Sequence, residues 1–486
     1  MQTLNFVKLG SLRNIDAFRK LAADLKLNLP CDEKILKAPD SPLAQPIEVQ
    51  GRKVGNRWAV HPMEGWDATL DGRPTPPLTR RWENFGRSGA KLIWGGEAMA
   101  VQAAGRANPH QLQIDAAHLD DLAGLRQKLI DAHRLHHGRT DDLLVGFQLT
   151  HSGRFARPKG EPCPRVAYRH PLLDQRVGVT SDKAILSDGE VEELIGCYIQ
   201  AAGVAADAGA DFVDIKHCHG YLLHEFLGAH TRPGPYGGSF ENRTRLLREI
   251  AKGIRSSRPH LLIGVRFSAF DTVPFYPDPT QSSGKKLGPG IPENYSACLP
   301  YRYGFAIDEA HPVNHDLSEA IRFMDLLKSL DIRLVNISGG SPYYSPHLER
   351  PAAYPPSDGY GPPEDPLIGV ARHIAVTAEL KRHCPEMIVA GSGYSYLQEF
   401  LPHVAQSVVR QGGADFVGIG RMVLPYPEFP SDVLEKGTIV PRRLCRTLSD
   451  CTTAPRKGLI SGCFPLDDYY KALPEAEQLK KMKGGR

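Results

Sequence analysis

Eight short apolar runs rich in β-branched residues recur along this chain, and longer segments with apolar residues at helical spacing separate them. That alternation is the signature of parallel βα units. Strands are predicted at Arg57–Met63, Lys91–Gly95, Leu144–Thr150, Asp211–His217, Leu262–Ser268, Ile332–Ser338, Met387–Gly391 and Asp415–Gly420. Helices are predicted over Glu190–Ala208, Glu241–Ile254, Asp316–Leu330 and Leu397–Gln411, with Leu246, Leu247, Ile250 and Ile254 on one face of the second. A repeat supports the count: Ala205–Ile215 (AADAGADFVDI) and Gln411–Ile419 (QGGADFVGI) share a helix end, a Gly-Ala-Asp step and a buried strand. Eight such units favour a (β/α)8 TIM barrel, with a doubly wound sheet as competitor. The competitor calls for a Gly-x-Gly-x-x-Gly turn after a strand, and the nearest candidate, Gly391–Tyr396, lacks the third glycine.

The 486 residues suffice for one large barrel with insertions, divided as an extension at 1–49, a barrel at 50–440 and a cysteine-containing tail at 441–486. Within the tail, Leu459–Arg486 ends in the basic segment Lys480–Arg486 and is expected to fray. The 59 Lys and Arg against 55 Asp and Glu are spread without a basic run, which argues against nucleic acid as a partner. No stretch approaches the ~18 apolar residues of a membrane span, and Met1–Asn14 lacks the apolar core of a secretory signal. Nine scattered cysteines, an odd number, suit free thiols in a reducing compartment, so a cytoplasmic protein is expected.

In a barrel of this kind function gathers at the carboxyl ends of the strands. Those ends would collect Met63, Glu64, Glu97, Ala98, Gln148, His151, Lys216, His219, Arg266, Ser392, Gly393, Gly420 and Arg421. Two long loops, Asp271–Val313 with seven prolines and Ser341–Pro366 with eight, would overhang them as covers, insertions or subunit contacts. Lys216, at the end of an apolar strand, needs a partner or a task. It could form an ion pair with Asp214 or Glu225, a Schiff base, or a hydrogen bond to a substrate oxygen. Glycines after the seventh and eighth strands, with Arg421, fit a phosphate cradle that would serve a sugar phosphate, pyridoxal phosphate or flavin mononucleotide (FMN) equally well.

Asn56-Arg57 with Pro62-Met63, the string Gln148-Leu149-Thr150-His151-Ser152-Gly153-Arg154, His219–Leu227 and the run Arg232–Arg243 (RPGPYGGSFENR) resemble the old yellow enzyme family of NADH:flavin oxidoreductases. The resemblance implies a (β/α)8 barrel that binds FMN non-covalently and passes hydride from NAD(P)H to an electron-poor alkene. By motif it implies that Pro62, Met63, Glu64 and Ala98 line the flavin ring. It further implies that Gln148 pairs with the pyrimidine edge, that Arg266 stands by N1 and O2, and that Ser392, Gly393, Gly420 and Arg421 hold the phosphate. Lys216 and His219 fall where the family has its substrate-oxygen pair, and Tyr221 matches its proton donor. Lys216 departs from the usual imidazole. Glu64 departs too, standing where relatives often carry Thr, Cys or Ala.

Larger relatives hold a [4Fe-4S] cluster through a carboxyl-terminal run of four cysteines. Here Cys445, Leu448, Cys451 and Cys463 stand near that register, so one thiolate is missing and a lost cluster is expected, Asp450 being an improbable substitute. The readings that follow are an NAD(P)H- and FMN-dependent ene reductase, an amine dehydrogenase or demethylase with Tyr343, Tyr344 and Trp66 as a cation cage, a Schiff-base lyase using Lys216, and an FMN-binding module with little turnover. A small-molecule substrate and a homo-oligomer are expected.

Overall fold

Every predicted strand forms, and the eight close into one parallel barrel. In chain order they are β1 (Trp58–Val60), β2 (Leu92–Ile93), β3 (Leu144–Thr150), β4 (Phe212–Ile215), β5 (Leu262–Ser268), β6 (Leu334–Ser338), β7 (Ile388–Gly391) and β8 (Phe416–Ile419). The computed structural model describes residues 6–284 and 287–483. β8 pairs with β1, β1 with β2 and β2 with β3, which closes the ring. β2 is interrupted at Gly95-Gly96 and resumes as Ala98–Ala100, still paired to β3. Gly96 sits at φ +54°, and a Cβ there would lie 2.5 Å from the Trp82 ring, so the interruption depends on glycine.

The barrel interior is layered. Its floor is an apolar cluster that includes Ala59, Leu92, Leu144, Phe212, Leu334, Ala390 and Phe416. Val49 and Val54 join that cluster from the antiparallel hairpin Ile47–Val49/Arg52–Val54, whose two turn residues, Gln50 and Gly51, both have positive φ as a type I′ turn requires. The boundary expected at 49/50 thus falls inside a hairpin shared by extension and barrel. Above the floor, glycines make room for rings: a Cβ on Gly146 would meet the Phe212 ring at 2.2 Å, and one on Gly418 the His61 ring at 2.1 Å. Side chains alternate along a strand, so placing Phe212, Leu334, Ala390 and Phe416 inside also turns residues 214 and 216, 336 and 338, 392, and 418 and 420 inward. That parity delivers Lys216, Ser392 and Gly420 to the mouth.

The internal repeat has a structural meaning. Asp211 and Asp415 immediately precede β4 and β8, and each carboxylate accepts from a backbone N–H of the preceding strand, Val145 at 2.9 Å and Val389 at 2.8 Å. Helix Asp188–Asp207 forms with a Ser187/Glu190 capping box. The helix expected over Glu241–Ile254 divides at Thr244, whose hydroxyl donates to the Phe240 carbonyl, and Leu246, Leu247, Ile250 and Ile254 are all buried in the second part. The helix expected over Leu397–Gln411 begins as a 3-10 turn and becomes α-helical only at Leu401–Arg410.

The tail corrects the sequence reading. Leu459–Arg486 is not frayed within its described part: Asp468–Lys471 and Pro474–Lys483 are helical, and Phe464, Tyr470 and Leu479 pack with Ala454. Arg80 clamps the segment with two hydrogen bonds to Asp467 at 2.8 and 3.1 Å while lying 4.4 Å from the Tyr469 ring centre. Lys480–Lys483 belongs to the last helix, and residues 484–486 lie outside the described ones.

Candidate active site

One cavity opens at the carboxyl ends of the strands, and every residue given a catalytic or cofactor-binding role from the sequence lines it: Pro62, Met63, Glu64, Ala98, Gln148, Lys216, His219, Tyr221, Arg266, Ser392, Gly393, Gly420 and Arg421. Of the other strand-end residues expected at the mouth, Glu97 and His151 do not line it. Among the described residues of the two long loops, only Ser341–Pro366 reaches it, through Pro342, Tyr343, Glu349, Arg350 and Pro351. The Asp271–Val313 loop instead folds a short hairpin (Phe275–Pro277 with Gly290–Pro292), and none of its described residues lines the cavity. The remaining wall is the tail, with Cys451, Thr452, Pro455, Arg456 and Ser461. Loop and tail interlock, since Arg456 donates to the Pro342 carbonyl at 3.1 Å and Ser449 to that of Tyr354 at 2.6 Å.

Lys216 pairs with neither Asp214 nor Glu225. Asp214 accepts from Gln148 (2.6 Å), the Trp94 indole (2.7 Å) and the Arg266 backbone (2.7 Å), and burial pushes its carboxyl up to about 6. Glu225 serves Arg154 at 2.8 Å and the Ala167 amide at 3.0 Å. The Lys216 ammonium lies 3.5 Å from Glu64 and 4.1 Å from the centre of the Tyr221 ring. Glu64 also accepts from Gln111 at 2.8 Å and from the Tyr221 hydroxyl, 2.9 Å from each of its oxygens. A second phenol, Tyr343, lies 3.0 Å from the Tyr221 oxygen and stacks on Phe155 at 3.9 Å. Burial and the neighbouring Glu64 carboxylate hold Tyr221 well above the usual phenol range. Of the aromatic cage read from the sequence, Tyr343 and Trp66 line the cavity, whereas Tyr344 is turned away to hydrogen-bond Asp271 at 2.7 Å.

His219 occupies a left-handed conformation (φ +68°) followed by Gly220 at φ +75°, a tight turn that aims its ring at Ser338, 3.0 Å from Nε2. Burial, then the Arg266 and Lys216 charges, keep it well below its ordinary 6.5, so the ring is neutral. His61, which the sequence reading passed over, bridges Asn336 (3.0 Å) and Ser392 (3.1 Å) in the layer beneath. Glu97 is part of a buried scaffold: Arg81 binds it at 2.8 Å and Asp67 through two 2.7 Å bonds, while Glu97 accepts the Gly65 amide at 2.7 Å. This fixes the segment that carries Glu64.

The far end of the cavity is cationic. Arg350 and Arg421 each leave one buried guanidinium N–H without a protein partner, as does Arg266. Burial and the adjacent Arg421 charge lower Arg350 to about 10. Gly393 stands beside them at φ +88°, where a Cβ would lie 2.8 Å from His373. Unsatisfied charged donors beside an open glycine turn suit an anion such as a phosphate. Arg350 carried no periodicity or motif that would have revealed it in the sequence.

The most distinctive string, Arg232–Arg243, lies outside the cavity. Arg232 donates to the Ala167 carbonyl at 2.9 Å, Arg243 reaches Leu227 and Glu319, and Gly237 packs where a Cβ would come within 2.3 Å of a backbone oxygen. Its role is scaffolding. Cys445, Cys451 and Cys463 share a separate small cavity with Leu448 and Asp450. A four-thiolate cluster does not fit these residues, because Leu448 offers no ligand and the Asp450 carboxylate is paired with Lys483.

The NADH:flavin oxidoreductase / NADH oxidase family model matches residues 42–280. An NADPH dehydrogenase of Bacillus subtilis (strain 168) is 26% identical over 80% of this chain and 92% of its own. Among solved structures, an old yellow enzyme homologue from Zymomonas mobilis matches with a TM-score of 0.54 and 21% identity over 82% of this chain and 94% of that one. A 2-naphthoyl-CoA reductase in complex with 2-naphthoyl-CoA matches with a TM-score of 0.63 and 18% identity over 90% of this chain, which spans 58% of the reductase. The cavity suits the FMN that the family binds, since its unpartnered guanidinium donors and glycine turn can take a phosphate.

Proposed function

The chain belongs to the NADH:flavin oxidoreductase / NADH oxidase family, the old yellow enzymes, and from that premise we propose that this FMN- and NAD(P)H-dependent oxidoreductase reduces an electron-poor alkene conjugated to a carbonyl or carboxyl group. Bound FMN would supply the two-electron chemistry between NAD(P)H and the acceptor. Pro62, Met63, Glu64 and Ala98 wall the ring, Gln148 offers its amide to the pyrimidine edge, and Arg266 stabilises the negative charge that reduction brings. Ser392, Gly393, Gly420 and Arg421 hold the phosphate, with Arg350 as a second guanidinium.

Lys216 and His219 orient the acceptor by hydrogen bonds to its oxygen, which polarises the conjugated system, and Tyr221 supplies the proton at the α carbon. The observation that carries this reading is the position of Lys216. Its ammonium fills the space between the Glu64 carboxylate and the face of Tyr221, where a substrate cation would otherwise be held. An anionic or carbonyl oxygen is welcome beside it, and a protonated amine is repelled. That favours alkene reduction over amine dehydrogenation.

The test is an anaerobic visible spectrum before and after NAD(P)H, followed by addition of unsaturated carbonyl compounds or, separately, of amines to the oxidised protein. Bleaching by NAD(P)H with recovery on an unsaturated carbonyl supports the reading. Bleaching by an amine refutes it. Lys216→Met is expected to weaken phenolic ligands and carbonyl acceptors by about 10- to 100-fold, one charge-assisted hydrogen bond, as read by spectral titration. The nine cysteines are free thiols, which supports a reducing compartment such as the cytoplasm. No helix among the described residues is long and apolar enough to cross a membrane.

A further inference from the structure

We propose that Glu64 is the proton reservoir of Tyr221, refilling that hydroxyl as it gives its proton to the substrate carbon; this rests on the reduction proposed above. A phenol carries one proton, and here three acceptors compete for it. The Tyr221 oxygen lies 2.9 Å from both Glu64 oxygens and 3.0 Å from the Tyr343 oxygen. While Glu64 is a carboxylate it can only accept, so the Tyr221 proton points at Glu64 and none faces the substrate. Once Glu64 is a carboxylic acid the bond reverses, Glu64 donates, and the Tyr221 proton is free to leave.

Charge leads to the same conclusion. Transfer from Tyr221 beside an ionised Glu64 would leave phenolate and carboxylate 2.9 Å apart in a buried site, two like charges where one is already costly. With Glu64 protonated, the Tyr221 O–H bond breaks as the substrate C–H bond forms, the Glu64 O–H bond breaks as the Tyr221 O–H bond is remade, and the site ends with one carboxylate. The proton steps move no electrons, and water returns the proton to Glu64, whose side chain keeps 17% of its surface exposed.

The geometry is set for this traffic. Gln111 fixes Glu64 at 2.8 Å while anchored to the Ala98 carbonyl at 3.0 Å, and the same glutamine accepts the Ala107 amide at 2.6 Å. The other charged and titratable groups on the same cavity are His61 after β1, Lys216 and His219 after β4, Arg266 on β5, Tyr343, Glu349 and Arg350 from the Ser341–Pro366 loop, Arg421 after β8, and the tail's Cys451 and Arg456, the last paired with Asp358. Arg81 is neutralised by Asp67 and Glu97. Among the described residues, Lys216 alone makes an ion pair with Glu64. It stabilises the carboxylate that remains after each transfer.

The experiment compares Glu64→Gln and Glu64→Asp with the parent, following recovery of the pre-reduced flavin by an unsaturated carbonyl acceptor in stopped flow across pH. The parent is expected to slow as pH rises. Glu64→Gln keeps a polar neighbour for Tyr221 but cannot give up a proton, so a 10- to 1000-fold loss is expected, with that pH limb removed. Glu64→Asp is expected to restore the limb. An independent readout needs no turnover: tyrosinate absorbance in the near ultraviolet, taken as the difference between each protein and its Tyr221→Phe counterpart, should show Tyr221 ionising at lower pH in Glu64→Gln. A parent rate and pH profile retained in Glu64→Gln overturns the relay while the reduction stands. A parent whose flavin NAD(P)H cannot bleach overturns both.

Discussion

Arg350→Met separates what the cavity needs for stability from what it needs for FMN. Burial and the Arg421 charge bring Arg350 from its ordinary 12.5 to about 10, and 2.5 units at about 1.36 kcal/mol each give roughly 3 kcal/mol of disfavoured charge in the FMN-free fold. Methionine removes that charge at similar length and forfeits the hydrogen bond to Thr452, about 1 kcal/mol, so the FMN-free variant is expected to be about 2 kcal/mol more stable than its parent. Binding should move the other way. A guanidinium-phosphate contact contributes about 1.5 to 3 kcal/mol, so FMN affinity should fall about 10- to 150-fold. Denaturant unfolding of the FMN-free proteins gives the first quantity, and titration of FMN fluorescence gives the second. A variant that is less stable than the parent, or one that binds FMN equally well, would refute the argument that Arg350 is strained until an anion arrives.

Gly393→Ala forces a side chain into φ +88° and within 2.8 Å of His373, so a loss of about 1 to 3 kcal/mol in thermal or denaturant stability and weaker FMN retention on gel filtration are expected. Arg80→Ala removes the Asp467 clamp and the contact with Tyr469, and limited proteolysis should then cut the tail faster than in the parent; an unchanged cleavage rate would show that the apolar cluster alone holds it. Acid should destabilise the fold through its buried histidines. Burial lowers His151 and His224 to about 3 and His217 and His373 to about 4, all below the ordinary 6.5. Between those values the unfolded chain binds protons that the folded one does not, so stability falls with pH by about 1.4 kcal/mol per unit for each histidine. Glu97, raised to about 7 by burial, and Asp214 and Asp271, raised to about 6, oppose this below those values but are fewer. A melting temperature that stays level from pH 7 to 5 would contradict the balance.

Much of this protein was legible from residue order because its information is local. Continuous short apolar runs mark strands buried on both faces and helical spacing marks the crossovers, so eight repeats of that grammar determined the barrel. Parity along a strand then determined that Gln148, Lys216, Arg266, Ser392 and Gly420 share its mouth. What remained open concerns partners far apart in sequence. Asp214 and Glu225 are the nearest acids to Lys216 on either side along the chain, yet its partner is Glu64, 152 positions away. Arg350 belongs to a proline-rich loop with no periodicity, and only the fold brings it beside Arg421. The tail looked frayed because it is terminal and ends in a basic segment, but Arg80 and the Ser341–Pro366 loop, both distant in sequence, supply the contacts that hold it. Spacing along a chain sets which face a side chain takes; closure of the barrel decides what it meets there.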